Sequence, residues 1–362
     1  MKEVNATIYL KIRPVCAIIG TEKGMKSMTK RIAAMILALT LMIAAAPSAL
    51  ADREVELTEE QEERLYDAAL AALETCIEED MTDLEKLTVL HDWLCLNCDY
   101  GNTLRGGTAY GAIVEGNAVC TGYAAALAYL ADLAGLDGAY TYSEELDHAW
   151  ALVTLDGGRY FSDATWDDGK YARLGLIRHK YFLFDENNAE DIGHTGWDSV
   201  EQVPGGELEA VPWAAAVTRV IFQGDWCWYI DGDFSLWRCD RDTWETELLL
   251  DLDKLWPVWD EPGYVYTEVY SSLVLIDDRL WFNTPYEICD LALDGTDLQT
   301  ELVPDISEGY VYGLGVQDGA LCYSIADAPD AVLYDVLETD IDASAAWGYA
   351  PPVEDASATD ME

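Results

Sequence analysis

Helical spacing in the first half of the chain and short aromatic strands in the second predict an α+β domain followed by an all-β region. Three observations carry that expectation: paired helix-opening signals before residue 100, a Val-, Tyr- and Trp-rich stretch after Gly138, and the loss of helical spacing beyond Pro204-Gly205-Gly206.

The first helix is expected over Leu57–Glu79, where Thr58 and Gln61 form a capping-box pair. Thr82 and Glu85 repeat that relation and open a second, which puts Leu84, Leu87, His91 and Leu94 on one face and ends before Tyr100-Gly101. A loop with Gly106, Gly107 and Gly111 leads to a third helix from about Cys120 to Leu133, with Gly135 as its C-terminal cap. Strands are expected at Ala139–Ser143, His148–Leu155 and Arg159–Trp166, the last two joined by a hairpin turn at Asp156-Gly157-Gly158.

Past residue 204, strand candidates are Trp226–Ile230, Ser235–Cys239, Leu280–Asn283, Glu287–Leu293 and Ala320–Ile325, punctuated by Asp231-Gly232 and Asp294-Gly295. A loose repeat of aromatic strand, turn, second strand and acidic stretch recurs around Trp226, Leu280 and Leu321, at intervals of 54 and 41 residues. The pattern suggests blades of an open, partial propeller, since closure needs about four or more. The expected division is an export signal with an N-terminal extension over 1–51, the α+β domain over 52–203, the β-rich module over 204–337 and a disordered acidic tail over 338–362.

The export reading rests on Lys23, Lys26, Lys30 and Arg31 ahead of an apolar run, Ile32–Ala46, and on Ala49-Leu50-Ala51 as a cleavage site. An uncleaved anchor competes with it, but a run of about fifteen residues is shorter than the roughly twenty needed to span a bilayer. Translation starting at Met25 or Met28 would remove the long lead. The expected location is therefore secreted or at the cell surface, with no stable membrane span after cleavage. Without residues 1–51 the chain holds 14 basic and 66 acidic residues. Such a surface repels nucleic acid and anionic lipid, so neither is an expected partner.

Eight cysteines remain after processing. Cys95-x-x-Cys98 has no second pair or nearby histidine pair to complete a zinc site, and no segment has EF-hand spacing. No metal or cofactor is expected.

Cys120 falls where the glycine-bearing loop meets an apolar helix. There the helix dipole and unpaired N–H groups favour thiolate and can hold an oxyanion. A cysteine nucleophile needs a base and an orienting partner. His148 begins a strand 28 residues later, and Asp163 follows 15 residues after that on the returning strand. The turn places Asp163 opposite Ala151 or Leu152, leaving roughly 10–13 Å along the strand for shear, a bulge or a diagonal reach to close. Of the other histidines, His91 reads as structural, and His179 and His194 as packing or loop-stabilising residues.

Three segments carry a resemblance. Thr108–Ala124, which contains Val119-Cys120-Thr121-Gly122-Tyr123, resembles the nucleophile segment of bacterial transglutaminase-like domains. His148-Ala149-Trp150 is similar to that family's histidine motif and Asp163-Ala-Thr-Trp-Asp-Asp168 to its aspartate motif, in the same order. His179-Lys-Tyr-Phe-Leu-Phe-Asp185, with His194 and Trp197, resembles the closing part of the domain; coverage runs from about residue 60 to 200. Ala151 stands where related sequences often carry Asn. The C-terminal half resembles, by composition alone, propeller-like modules of bacterial surface proteins, and its tryptophans could stack on sugars or fill a sheet core.

The resemblance implies a papain-like fold of helices packed on an antiparallel sheet, with Cys120 as nucleophile, His148 as base and acid, and Asp163 as its orienter. The Cys120 N–H would form part of the oxyanion hole, and Tyr110 either adds a hydroxyl to it or braces the loop as a buried aromatic. The implied activity is thiol-dependent acyl transfer on peptide or amide bonds, by a peptidase, amidase or cross-linking enzyme. Peptides, proteins or cell-wall peptides are the expected substrates. The alternative is a non-catalytic surface binding or scaffold protein on the same fold.

Overall fold

The computed structural model describes residues 55–348, apart from 169–174, 198–202, 206–210, 253–255, 257–258, 262–263, 267–268, 305–308 and 327–334. The expected signal lies outside the described residues. None of the described helices is long and apolar enough to cross a membrane.

Two compact units emerge. The first takes the chain up to Leu73, Met81–Thr165 and Tyr181–Glu209; the second takes Glu74–Asp80, Trp166–Lys180 and the chain from Ala210. The second unit therefore includes two short earlier segments that a division at residue 203 leaves out. Arg241 reaches Asp80 at 3.0 Å and the Trp347 indole donates to Glu78 at 3.2 Å, tying the first of these segments to it.

In the first unit, α1 (Glu59–Cys76) and α2 (Asp83–Asn97) both open with the expected capping boxes. Thr82 Oγ1 accepts from the Glu85 N–H at 3.3 Å, and the Glu85 carboxylate accepts from the Thr82 N–H at 2.7 Å. Two-residue strands β1 (Asp99–Tyr100) and β2 (Asn117–Ala118) pair in parallel around the short helix α3 (Ala109–Ile113). Helix α4 (Cys120–Leu133) is apolar nearly all round because it is central, packed between α2 and α3 on one side and the sheet on the other. It ends at Ala134, and Gly135 takes the left-handed φ of 89° that its stop requires.

The sheet is an antiparallel meander of β3 (Asp137–Ser143), β4 (His148–Leu155) and β5 (Gly158–Ser162). Asp156 and Gly157 form the two-residue β4–β5 turn, both with positive φ (49° and 80°), which pairs Leu155 with Gly158. This register places Ser162 opposite Ala151, so Asp163 comes opposite Trp150, one residue from the expected register. The third strand is also shorter than expected. Asp163 Oδ1 accepts from the Thr165 N–H at 3.1 Å and turns the chain into a helical segment at Ala164–Asp167. Trp150, Leu152, Phe161, Phe184 and Ala189 form the apolar cluster on one side of this sheet.

The second unit is β-rich, built of successive antiparallel meanders. Its first sheet is β6 (Ile221–Gln223), β7 (Trp226–Ile230), β8 (Ser235–Asp240) and β9 (Thr246–Asp251). After the hairpin β10 (Trp259–Glu261) and β11 (Tyr264–Tyr266) come β12 (Leu273–Ile276), β13 (Arg279–Asn283), β14 (Ile288–Ala292) and β15 (Gln299–Leu302). A three-stranded sheet follows, β16 (Tyr310–Gln317), β17 (Ala320–Ala326) and β18 (Asp335–Asp342). The middle sheet is covered on both faces. Leu273, Leu275, Leu280 and Phe282 join one apolar cluster, while Val274, Ile276, Trp281 and Ile288 join another. No closed barrel or propeller is formed among the described residues.

The expected disordered tail is corrected over its first part. Glu338–Asp342 belongs to β18, which pairs with β17, and Ala343 and Ala346 are buried against the second cluster. Within β18 only Thr339 and Ile341 are half-buried, Ile341 against that cluster, so pairing with β17 holds an otherwise exposed acidic strand at the sheet edge. Residues 349–362 lie outside the described ones.

Candidate active site

Cys120 is the first residue of α4 and is buried, at 9% exposure. Val119 precedes it in an extended conformation and supplies no capping side chain, so the first-turn N–H groups depend on other acceptors. The Gly122 and Tyr123 N–H groups bond back to the Val119 carbonyl at 2.9 and 3.1 Å, while the Val119 N–H donates to Gly106 O at 2.9 Å. That last contact draws the glycine loop against the helix. A Cβ on Gly122 would lie 2.2 Å from Gly106 O, so only glycine lets the two backbones meet there.

His148 opens β4 after Asp147, which adopts a left-handed φ of 50°. Asp163 follows the last residue of β5, at the same open end of the hairpin. Because its register partner is Trp150, it lies two positions from His148 and on the same face, a diagonal pair within side-chain reach. Of the two expected partners, Ala151 would have turned Asp163 to the opposite face and Leu152 would have kept the face but left it four positions from His148, so the observed register settles both face and distance. His148 Nε2 lies 2.7 Å from Asp163 Oδ2, and the Cys120 side chain is placed so that it also raises the His148 pKa. With Nε2 committed to the carboxylate, Nδ1 is the nitrogen left for the thiol.

The electrostatics follow from these contacts. Burial alone would lower the His148 pKa, but the hydrogen bonds and charges of Asp163 and Cys120 outweigh it and raise the value from 6.5 to about 9. Burial pushes the Asp163 carboxyl up, but hydrogen bonds from His148 and His194 and the charges of both rings bring it below its ordinary range.

His194 is a site residue that sequence reasoning assigned to packing. Its Nε2 lies 2.8 Å from Asp163 Oδ2, and its ring is fully buried among Trp150, Phe184 and Tyr181, with centroids 4.8, 4.5 and 5.6 Å away. The available signal was its place in the aromatic closing segment, but nothing in its spacing pointed to Asp163. Ligand atoms of His148, Asp163 and His194 lie within 4.8 Å of one another, a set that could hold a metal ion. Both Nε2 atoms already bond a single carboxylate oxygen, and an ion there would have to displace both protons.

Residues 71–163 match the transglutaminase-like superfamily. The matched range contains Cys120, His148 and Asp163 and stops short of His194. No curated protein matches the chain. Among solved structures, the chain is similar to a crystal structure of a TGase at 16% identity and a TM-score of 0.28, over 44% of this chain and 43% of that one. It is also similar to PorZ, a bacterial surface component of the type-IX secretion system of Porphyromonas gingivalis, at 14% identity and a TM-score of 0.22. That likeness covers 57% of this chain and 21% of PorZ. The chain thus spans less than half the length of either protein, and at these TM-scores neither likeness bears on fold or function.

The remaining expected residues are also placed. Tyr110 is buried on α3, which packs beside α4, with the Arg105 guanidinium 5.3 Å from its ring centroid. Two tyrosines that were not expected site residues feel the charge of Cys120. Burial first, then the charge of Cys120, raises the pKa of Tyr100, which is 60% exposed. The Tyr142 hydroxyl donates to the Asp147 carboxylate, and that bond, with burial and the charges of Asp147 and Cys120, pushes it up to about 12. Cys95 and Cys98 are separate free thiols, and the Cys95 thiol donates to Ala164 O at 3.4 Å. His91 is buried on α2 against Phe182, with its Nδ1 3.2 Å from the Asp92 carboxylate.

Proposed function

We propose that the first unit is a thiol-dependent acyl-transfer enzyme acting on peptide or amide bonds, with Cys120 as nucleophile, His148 as acid and base, and Asp163 as its orienter. The 2.7 Å bond from His148 to the buried Asp163, together with the influence of Cys120 on the His148 ring, carries this reading. An imidazolium held by a buried carboxylate keeps a proton ready beside the sulfur at neutral pH. The Cys120 thiolate adds to the carbonyl carbon, forming a C–S bond, and the carbonyl electron pair moves to oxygen near the Cys120 N–H. Collapse breaks the C–N bond while the His148 Nδ1 proton passes to the departing amine. Water or a second amine then attacks the thioester, gives its proton to His148 and releases the acyl group with the sulfur restored. Hydrolysis and cross-linking differ only in that last nucleophile.

Tyr100 and Tyr142, both influenced by the charge of Cys120, are suited to contact the chain of a peptide substrate, and Tyr110 braces the loop under Arg105. The basic and apolar lead at residues 23–46 supports export, and a cell-surface or cell-wall peptide is the substrate class that fits it. The successive sheets of the second unit support a partial-propeller reading. Within that unit, the Arg238 guanidinium covers one face of the Trp226 ring at 4.2 Å, so that face is not open to stack on a sugar.

Iodoacetamide labelling tests the proposal. Cys120 should alkylate faster than a free cysteine at pH 7, and His148→Ala should remove the excess. Equal rates for Cys120 and a free thiol, unchanged by His148→Ala, would favour the non-catalytic scaffold.

A further inference from the structure

We infer that His194 is a positioning residue for Asp163, donating from Nε2 to the same carboxylate oxygen that receives the His148 proton and so fixing that carboxylate for its partner. The inference rests on the catalytic reading of Cys120.

Asp163 is 1% exposed, and a buried carboxylate persists as an anion only when its oxygens are met by donors. Oδ1 receives the Thr165 N–H at 3.1 Å, and Oδ2 receives His148 at 2.7 Å and His194 at 2.8 Å. An ionised carboxylate only accepts, so both rings must carry a proton on Nε2. His148 has a second task toward Cys120 and must be free to gain and lose its other proton. His194 has no such task, so its bond to Asp163 can persist while His148 cycles.

Packing does not account for the nitrogen. The His194 ring is wedged among Trp150, Phe184 and Tyr181, where an apolar ring would fill the same space. The left-handed turn at Gly193 (φ 95°) and the His194 N–H bond to Ala189 O at 2.8 Å fix the backbone from which the ring reaches inward. The titratable groups around Asp163 are His148 and His194, with Cys120 beyond His148 and Tyr181 against the His194 ring.

The test compares the full-length wild type with His194→Gln and His194→Leu. Gln can place an amide N–H near the Nε2 position; Leu cannot. In the wild type, a long-range 1H–15N spectrum should show His194 protonated at Nε2, and an unprotonated Nε2 overturns the proposal whether or not either variant folds. The Asp163 carboxyl, followed by 13C NMR, should titrate about one to two pH units higher in His194→Leu and near wild type in His194→Gln. The acid limb of Cys120 alkylation should move with it. An Asp163 midpoint that is the same in all three proteins overturns the proposal, since a role in packing alone leaves that midpoint in place. Should wild-type Cys120 react no faster than a free cysteine while the Asp163 midpoint still follows residue 194, the catalytic reading falls and the positioning of Asp163 stands.

Discussion

Replacing Asp163 by Asn should uncouple His148 from its charge partner while keeping the shape of the side chain. In the native protein the His148 pKa rises from 6.5 to about 9 against the opposing effect of burial. That rise corresponds to about 3 kcal/mol, shared between Asp163 and Cys120. In Asp163→Asn the burial remains and the contribution of Asp163, the larger of the two partners, disappears, so the His148 midpoint should fall by about one pH unit or more. The same substitution turns part of the acceptor into an amide donor facing two buried imidazole N–H groups, at a cost of about 3–5 kcal/mol in stability. The folded His148 pKa lies above the unfolded one, so its stabilisation is complete below about pH 6.5 and disappears as pH rises through about 9. Urea unfolding of the wild type should therefore weaken across that window, and the variant should lack that part of the slope. Histidine Cε1–H NMR gives the midpoints directly. A wild-type His148 that titrates at 6.5, or equal midpoints in the two proteins, would refute the reasoning.

Gly122→Ala should destabilise the first unit by about 1–3 kcal/mol and slow Cys120 alkylation, because its Cβ would fall 2.2 Å from Gly106 O; urea denaturation and labelling rates check both effects. Thr82→Ala should lower stability by about 1 kcal/mol through loss of the α2 capping box, with the alkylation rate of Cys120 unchanged. Cys227 and Cys239 are free thiols directly opposite each other on β7 and β8, and a hydrogen bond from Cys227 lowers the Cys239 pKa. Diamide should link them in a disulfide, seen by mass spectrometry as the loss of two hydrogens, and persistence of both as alkylatable thiols after denaturation would contradict this.

Much of the first unit was legible because its signals are local. Capping boxes at Thr58 and Thr82 marked the helix starts, Gly135 marked a stop, and Asp156-Gly157 marked the hairpin. The positions of Cys120, His148 and Asp163 followed from motif order. Their geometry did not, because one residue of register decides which face Asp163 occupies, and that depends on the turn type. His194 was invisible for a related reason: its partner lies 31 residues away, joined through a loop without periodicity. In the second unit the inner strands β7, β8, β13, β14 and β17 were found from their apolar runs, whereas the outer ones were missed, as was the β10–β11 hairpin. Of these outer strands β6, β12 and β16 were missed although largely buried, while β9, β15 and β18 are mostly exposed and carry little of the hydrophobic pattern that announces a strand.

That same polarity bears on how the molecule avoids its own kind. An outermost strand offers unpaired backbone groups to any passing chain, and a second copy is the most abundant candidate in a concentrated solution. Here the outer strands carry Glu247 and Asp251, Glu301, and Asp335, Glu338, Asp340 and Asp342. Two such edges approaching each other bring like charges together before a single ladder bond can form. The guard is made of carboxylates, so it weakens as they protonate: acidification toward the pI of about 4.1 removes the repulsion and leaves the edges open to one another.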